Sequence, residues 1–297
     1  MNQPRAEALA PAAKLWAYVA LTKPDVTFLV AITTVAGFYL GASGPLDWAL
    51  LFQTVFGTAL VAGGTAALNQ YVERDKDAVM RRTAARPLPS GQLQPVEALK
   101  FGVGAIALGG VWLALGVNAL SAMLALATSV LYLGVYTPLK TRTTLATTVG
   151  AFPGALPPLI GWAAAHGSIN LGGWVLFAIL FFWQFPHFMA IAWMYREDYA
   201  RAGIRMLPVV DPKGDATFGQ IVSMAGALIP ISILPAAIGL LGFRYFVGAL
   251  LLGLALFGVA LWANASRTNS RAMWLMHTTV AHIPLLLAWM IFDKLGR

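Results

Sequence analysis

Stretches of about twenty apolar residues recur along the whole chain, separated by short polar segments. A helix of that length crosses a hydrocarbon core of roughly 30 Å. In lipid the backbone must satisfy its own hydrogen bonds, so such runs fold as helices. Nine runs are present, at 26–42, 48–70, 95–116, 118–136, 145–164, 172–193, 218–241, 245–264 and 274–292. Only Gly116-Val117-Asn118 separates the third from the fourth, which requires a tight turn. Charged residues make up 11% of the chain, against about 25% in soluble domains. The expected fold class is therefore all-α: a polytopic membrane protein with nine transmembrane helices.

Charge alternates from loop to loop. Arg5, Lys14 and Lys23 precede the first run. Arg74, Lys76, Arg81, Arg82, Arg86 and Lys100 surround the second loop, Lys140 and Arg142 the fourth, Arg196, Arg201, Arg205 and Lys213 the sixth, Arg267 and Arg271 the eighth. Only Arg244, Lys294 and Arg297 fall on the other side. Basic loops stay in the cytoplasm, so the N-terminus is expected there. Membrane topology thus explains the formal charge of +8, and no nucleic-acid partner is expected. Residues 1–22 read as an N-terminal cytoplasmic segment without the compact apolar region of a signal peptide, and 23–293 as a single transmembrane domain. A bacterial cell (inner) membrane is the simplest home, with the lipid bilayer as solvent. The absence of cysteine excludes disulfides, thiolate catalysis and iron–sulfur clusters.

Ten of the twelve acids share the basic face; only Asp47 and Asp293 do not. A topology signal needs no acids. The densest cluster lies in Asn69–Gly91, where an apolar run turns abruptly charged. If the second helix continues past Asn69, then Asn69, Glu73 and Asp77 lie at i, i+4 and i+8, on one face. Asp75 points about 100° per residue away from that face. Two readings fit. One is an ordinary charged loop at the membrane surface. The other is a Mg²⁺ site, because hard cations take oxygen ligands and share them with substrate phosphates, which arginines can grip.

The segment 195–214 echoes the first. Both follow an even-numbered run, both open with acids among arginines, and both reach Arg-x-Leu-Pro (Arg86 to Pro89, Arg205 to Pro208). Two acidic clusters over one cavity would hold Mg²⁺ bridging a diphosphate, a poor leaving group until its charge is neutralised. Asn69, Glu73, Asp77 and Asp198 are the candidate metal ligands and catalytic residues. Lys23, Arg82, Arg86, Lys140 and Arg142, with Tyr136 and Tyr199, are the diphosphate candidates. Proline in a membrane helix kinks it and frees a carbonyl; Pro153, Pro157, Pro158, Pro186, Pro230, Pro235 and Pro284 do so in four runs. His187, beside Pro186, and His282, beside Pro284, are intramembrane ionisable residues and so candidates for function. His187 reads either as a heme-pocket residue or as a structural histidine filling the carbonyl gap left by Pro186.

Asn69-x-x-x-Glu73-x-x-x-Asp77 followed by Arg82-x-x-x-Arg86-Pro-Leu-Pro-Ser-Gly resembles the first acidic motif of the UbiA superfamily of intramembrane prenyltransferases. Glu73 stands where many members have Asp. Four further segments are similar to the branch of that superfamily that farnesylates heme: Leu21 to Thr27, Tyr-Thr-Pro-Leu-Lys at 136–140, Trp-Gln-Phe-Pro-His-Phe at 183–188, and Glu-Asp-Tyr-x-x-Ala-Gly-x-x-Met-Leu-Pro at 197–208. The resemblance implies nine helices around a central cavity and a Mg²⁺-dependent transferase. It further implies farnesyl diphosphate and heme B as substrates, with addition of water giving heme O. His187 and His282 become heme-binding candidates, and heme A synthase and the assembly factors of terminal oxidases become expected partners. Two other readings remain: a UbiA-type enzyme acting on an aromatic quinone precursor, and a membrane transporter. A transporter predicts acids deep within the runs, where this chain has almost none.

Overall fold

The computed structural model describes residues 10–296. Arg5 and Glu7 of the N-terminal segment, and Arg297, lie outside the described residues. The described chain is helical throughout. α1 (Pro11–Leu21) precedes α2 (Pro24–Gly41), α3 (Trp48–Val79), α4 (Pro95–Gly116) and α5 (Ala119–Val130). A π-helical turn, Leu131–Tyr136, continues α5 into the short α6 (Thr137–Leu139). α7 (Ala146–Ala155), α8 (Pro157–His166) and α9 (Leu171–Met194) follow, then α10 (Arg196–Arg201), α11 (Leu207–Val210), α12 (Asp215–Ala237), α13 (Phe243–Ser266) and α14 (Asn269–Leu295).

Eight helical stretches are long and apolar enough to cross a membrane. The expected run at 145–164 is instead two ten-residue helices, α7 and α8, meeting at Leu156. Pro157 and Pro158 lack backbone N–H donors, so the first helix cannot pass its hydrogen-bond ladder on. The expected turn between the third and fourth runs is present: the Asn118 side chain accepts from Ser121 N at 2.8 Å and caps α5. α3 is longer than its apolar run. Its 32 residues extend about 48 Å at 1.5 Å per residue, about three turns more than a hydrocarbon core of roughly 30 Å requires. Thr83 ends it by donating its hydroxyl to Asp77 O at 2.9 Å.

α2, α3, α5, α7, α9 and α14 form a ring, with α8 crossing inside against α2 and α4, α12 and α13 packed outside. α2 and α8 touch backbone to backbone: a Cβ on Gly37 would strike Pro158 O, and one on Gly161 would strike Thr34 O. Both contacts therefore require glycine. On the outer face Asp293 of α14 accepts from Gly242 N at 2.5 Å and Tyr245 N at 3.1 Å, capping α13. Asp293→Ala is expected to cost about 1–2 kcal/mol, as cap removals do, read as a lower midpoint of thermal unfolding in detergent.

Candidate active site

The overhang of α3 carries Asn69, Glu73 and Asp77 on one stripe, all buried. They line a cavity of about 400 Å³ that runs inward between α2, α3, α5, α7 and α9. Each oxygen-bearing side chain is met by a cation. Lys23 Nζ donates to Asn69 Oδ1 at 2.8 Å. Lys140 Nζ donates to both Glu73 oxygens, at 3.0 and 2.9 Å. Arg86 Nη1 reaches both Asp77 oxygens, at 2.9 and 2.7 Å. Asn69 Nδ2 in turn donates to Glu73 Oε2 at 2.9 Å and to Thr137 Oγ1 at 3.3 Å. A helix could present this stripe to solvent; here tertiary contacts from α2, α5 and the following loop enclose it.

Three loops close over the mouth. The Arg82 backbone N–H donates to Asp198 Oδ2 at 3.1 Å, and its guanidinium to the Tyr199 hydroxyl at 3.2 Å. That guanidinium also lies over the Tyr195 ring, 5.1 Å from its centroid. Asp198 is paired with Arg201. Arg205 N donates to Lys140 O at 2.7 Å, and Met80, Ala192, Ile204 and Met206 form a small apolar cluster beneath. The two echoing segments thus face each other across one opening.

Lys140 is the most enclosed of the cations. Its ammonium lies 4.5 Å from the Tyr136 ring centroid and 5.9 Å from that of Tyr132. Both tyrosines, four residues apart, lie in the π-helical turn and face the ammonium. Burial opposes the Lys140 charge, but the oxygens of Tyr136, Tyr132 and Glu73 more than offset this and hold it above the ordinary lysine range. Lys23 behaves differently. It sits between α1 and α2 at a left-handed φ of 49°, a strained conformation for a side-chain-bearing residue. Burial, aided by the neighbouring Arg86 and Lys140 charges, pushes its ammonium down to about 7.

Below this mouth the wall turns apolar, with Val26, Val30, Val61, Ala125 and Ile160 among its residues. Two polar side chains of α9 interrupt it, Gln184 and His187. His187 Nδ1 is 2.8 Å from Thr279 Oγ1, so it is tied to α14 rather than to the carbonyl freed by Pro186. His282 lies elsewhere, buried between α13 and α14 and away from the cavity lining. Arg142 is exposed and does not line the cavity, and Asp198 stands at its rim. Lys23, Asn69, Glu73, Asp77, Arg82, Arg86, Tyr136, Lys140, His187 and Tyr199 are brought together around it.

Among the described residues no three His, Asp or Glu side chains converge as a closed metal cage. The donors at the mouth are oxygens only. That set fits a hard cation which takes one or two carboxylates and completes its sphere with phosphate oxygens and water. Thr137, Gln184 and Thr279 complete the polar network without having been marked by charge or by spacing. Gln184 stood within the Trp-Gln-Phe-Pro-His-Phe segment, but nothing local gave its direction.

A helical membrane protein with an apolar cavity under a mouth of paired acids and cations is built to hold a long apolar chain by an anionic head. Residues 30–288 match the UbiA prenyltransferase family, and the chain belongs to it; it is a multi-pass membrane prenyltransferase. It is 50% identical over 288 residues to the protoheme IX farnesyltransferase of Solibacter usitatus, covering 94% of this chain and 99% of that one. The solved structure of a digeranylgeranylglyceryl phosphate synthase in membranes matches with a TM-score of 0.79 at 16% identity, over 96% of this chain and 99% of that one. A UbiA homologue from Archaeoglobus fulgidus, bound to DMAPP and Mg²⁺, matches with a TM-score of 0.62 at 14% identity, over 92% of this chain and 98% of that one.

Proposed function

We propose that this protein transfers the farnesyl group of farnesyl diphosphate to a vinyl group of heme B, with addition of water, to give heme O. The observation that carries the reading is the stripe Asn69, Glu73, Asp77, each partnered by a cation, at the mouth of an apolar cavity. The 50% identical relative named for protoheme IX supports the choice of acceptor.

Asn69, Glu73 and Asp77 would hold Mg²⁺, with Asp198 at the facing rim. When bound, the ion neutralises charge developing on the departing diphosphate. Arg86 and Lys140 turn their donors from the carboxylates to phosphate oxygens, Lys23 turns from the Asn69 amide and Arg82 from the Tyr199 hydroxyl, and Tyr136 and Tyr199 hydroxyls add hydrogen bonds; Arg142 contributes long-range charge from just outside. These donors are already in place, so stabilising the leaving group needs little reorganisation. The apolar wall takes the farnesyl chain and excludes water from the ionised carbon. His187 stands in the heme pocket; His282 has no contact with the cavity and is left out of it.

α7 and α8 together make a fifth crossing of nine, in one domain over 23–293. The N-terminus and mouth then face the cytoplasm of a bacterial inner membrane. The product would pass to terminal oxidases, directly or through heme A synthase. The test is the purified protein in detergent with heme B, farnesyl diphosphate and Mg²⁺, followed by mass spectrometry of the heme. A gain of farnesyl plus water is expected, reduced about a hundredfold or more by EDTA, since metal neutralisation supplies several kcal/mol. Prenylation of an aromatic acid instead of heme would remove the acceptor assignment and keep the site.

A further inference from the structure

We propose that Gln184 and His187 hold the water that completes the reaction, and that His187 Nε2 takes its proton. This rests on the heme farnesylation proposed above.

The Thr279 hydroxyl lies 2.6 Å from Met276 O and donates to it. Its single hydrogen is therefore committed, and Thr279 Oγ1 can only accept from His187 Nδ1 at 2.8 Å. That places the neutral imidazole's hydrogen on Nδ1 and leaves a lone pair on Nε2. The ring cannot turn away easily. It stacks on Trp183 at 4.9 Å and 14°, and Trp183 Nε1 is itself fixed to Thr279 O at 2.9 Å. Nε2 has no protein partner among the described residues, and His187 lines the cavity.

Gln184 precedes it by three residues on α9, on the same face. Its Nε2 hydrogens are used by Ala151 O at 3.0 Å and Leu180 O at 3.1 Å. Its Oε1 is thereby turned to Gly154, where a Cβ would collide with it, and accepts no hydrogen bond from the protein among the described residues. The two residues thus stand one turn apart on α9, a backbone rise of about 4.5 Å, and both line the cavity. One water lying between them in the cavity can donate a hydrogen bond of ~2.8 Å to each acceptor. A water bound so gives both hydrogens to the wall and turns its lone pairs into the cavity, the orientation that attacks a cation.

The depth agrees. Gly154 and Ala151 of α7 face Gln184, and Gly150, a turn nearer the mouth, faces the Tyr136 ring that touches Lys140. His187, one turn nearer the mouth than Gln184, lines the same cavity on the mouth side of Gln184.

The C1–O bond of farnesyl diphosphate breaks and its electron pair leaves with diphosphate. The vinyl π pair forms the bond to C1, leaving a cation on the vinyl carbon next to the ring. A water lone pair forms the C–O bond, and one water proton passes to Nε2. Without an oriented water the same cation loses a proton from the adjacent carbon and gives an alkene short by one water.

The test is the ratio of hydrated to dehydrated farnesyl heme, by mass spectrometry, for the wild type, His187→Leu, Gln184→Met and Gly154→Ala. The last leaves both polar residues in place and pushes the Gln184 amide aside. The dehydrated product is expected to rise at least tenfold relative to the hydrated one in each variant, a shift that mere loss of fold does not produce. Farnesylation with the wild-type ratio in His187→Leu, or in Gly154→Ala if the first does not fold, overturns the proposal. So does a heme absorption spectrum altered by His187→Leu in the way loss of an axial ligand requires. A wild type that farnesylates no heme overturns the underlying reaction instead.

Discussion

Glu73→Gln is expected to lower farnesyl transfer about a thousandfold, the upper end of what one preorganised charge-stabilising group supplies. Glu73 holds Lys140 through both oxygens in a nearly dry setting and shares the stripe with Asn69 and Asp77. Glutamine keeps one acceptor for Lys140 but removes the negative charge that a divalent cation needs. The loss should therefore fall on kcat and on the concentration of Mg²⁺ required, while the bundle stays folded. Glu73→Ala leaves Lys140 buried without a carboxylate. Breaking a buried pair this way costs about 3–5 kcal/mol, so the alanine variant should also lose thermal stability. Turnover measured against Mg²⁺ concentration, with unfolding monitored for both variants, separates the two effects.

Gly161→Val carries the second large effect, through structure alone. A side chain at 161 meets Thr34 O and Phe38 N of α2, backbone atoms that cannot rotate away. The helices must part, and overpacking of this kind costs about 1–3 kcal/mol or more. α2 follows directly on Lys23, its N-cap residue, and supplies Val26 and Val30 to the cavity, so its displacement also draws the Lys23 ammonium from Asn69. Both thermal midpoint and affinity for farnesyl diphosphate should fall. Gly44→Val is the control: nothing lies within 4 Å of the added carbon, and little change is expected.

The long apolar runs made the helices legible, because a lipid solvent leaves the backbone few choices. The extension of α3 was legible too, since Asn69, Glu73 and Asp77 form a face only if the helix continues. The break between α7 and α8 was written in Pro157-Pro158 yet hidden within one apolar run. The π-helical turn at Leu131–Tyr136 was not legible: one extra residue in a turn changes no composition. The partner of His187 was beyond reach for a different reason. Pro186 offered a carbonyl next door, whereas the actual partner, Thr279, lies 92 residues on and is found only once α9 and α14 have packed. The echo between residues 69–91 and 195–214 anticipated two clusters over one opening but not the Arg82–Asp198 and Arg82–Tyr199 contacts that join them.

The contrast between the charged mouth and the apolar wall bears on the direction of the proposed reaction. Its two products differ sharply in solubility. In that reaction diphosphate would leave by the charged mouth, into water, while the farnesylated porphyrin would belong to the oily phase. Once they part, each dilutes into a medium the other does not enter. Recombination then requires a rare simultaneous return, so the geometry makes the transfer a one-way crossing between phases as well as a change of bonds.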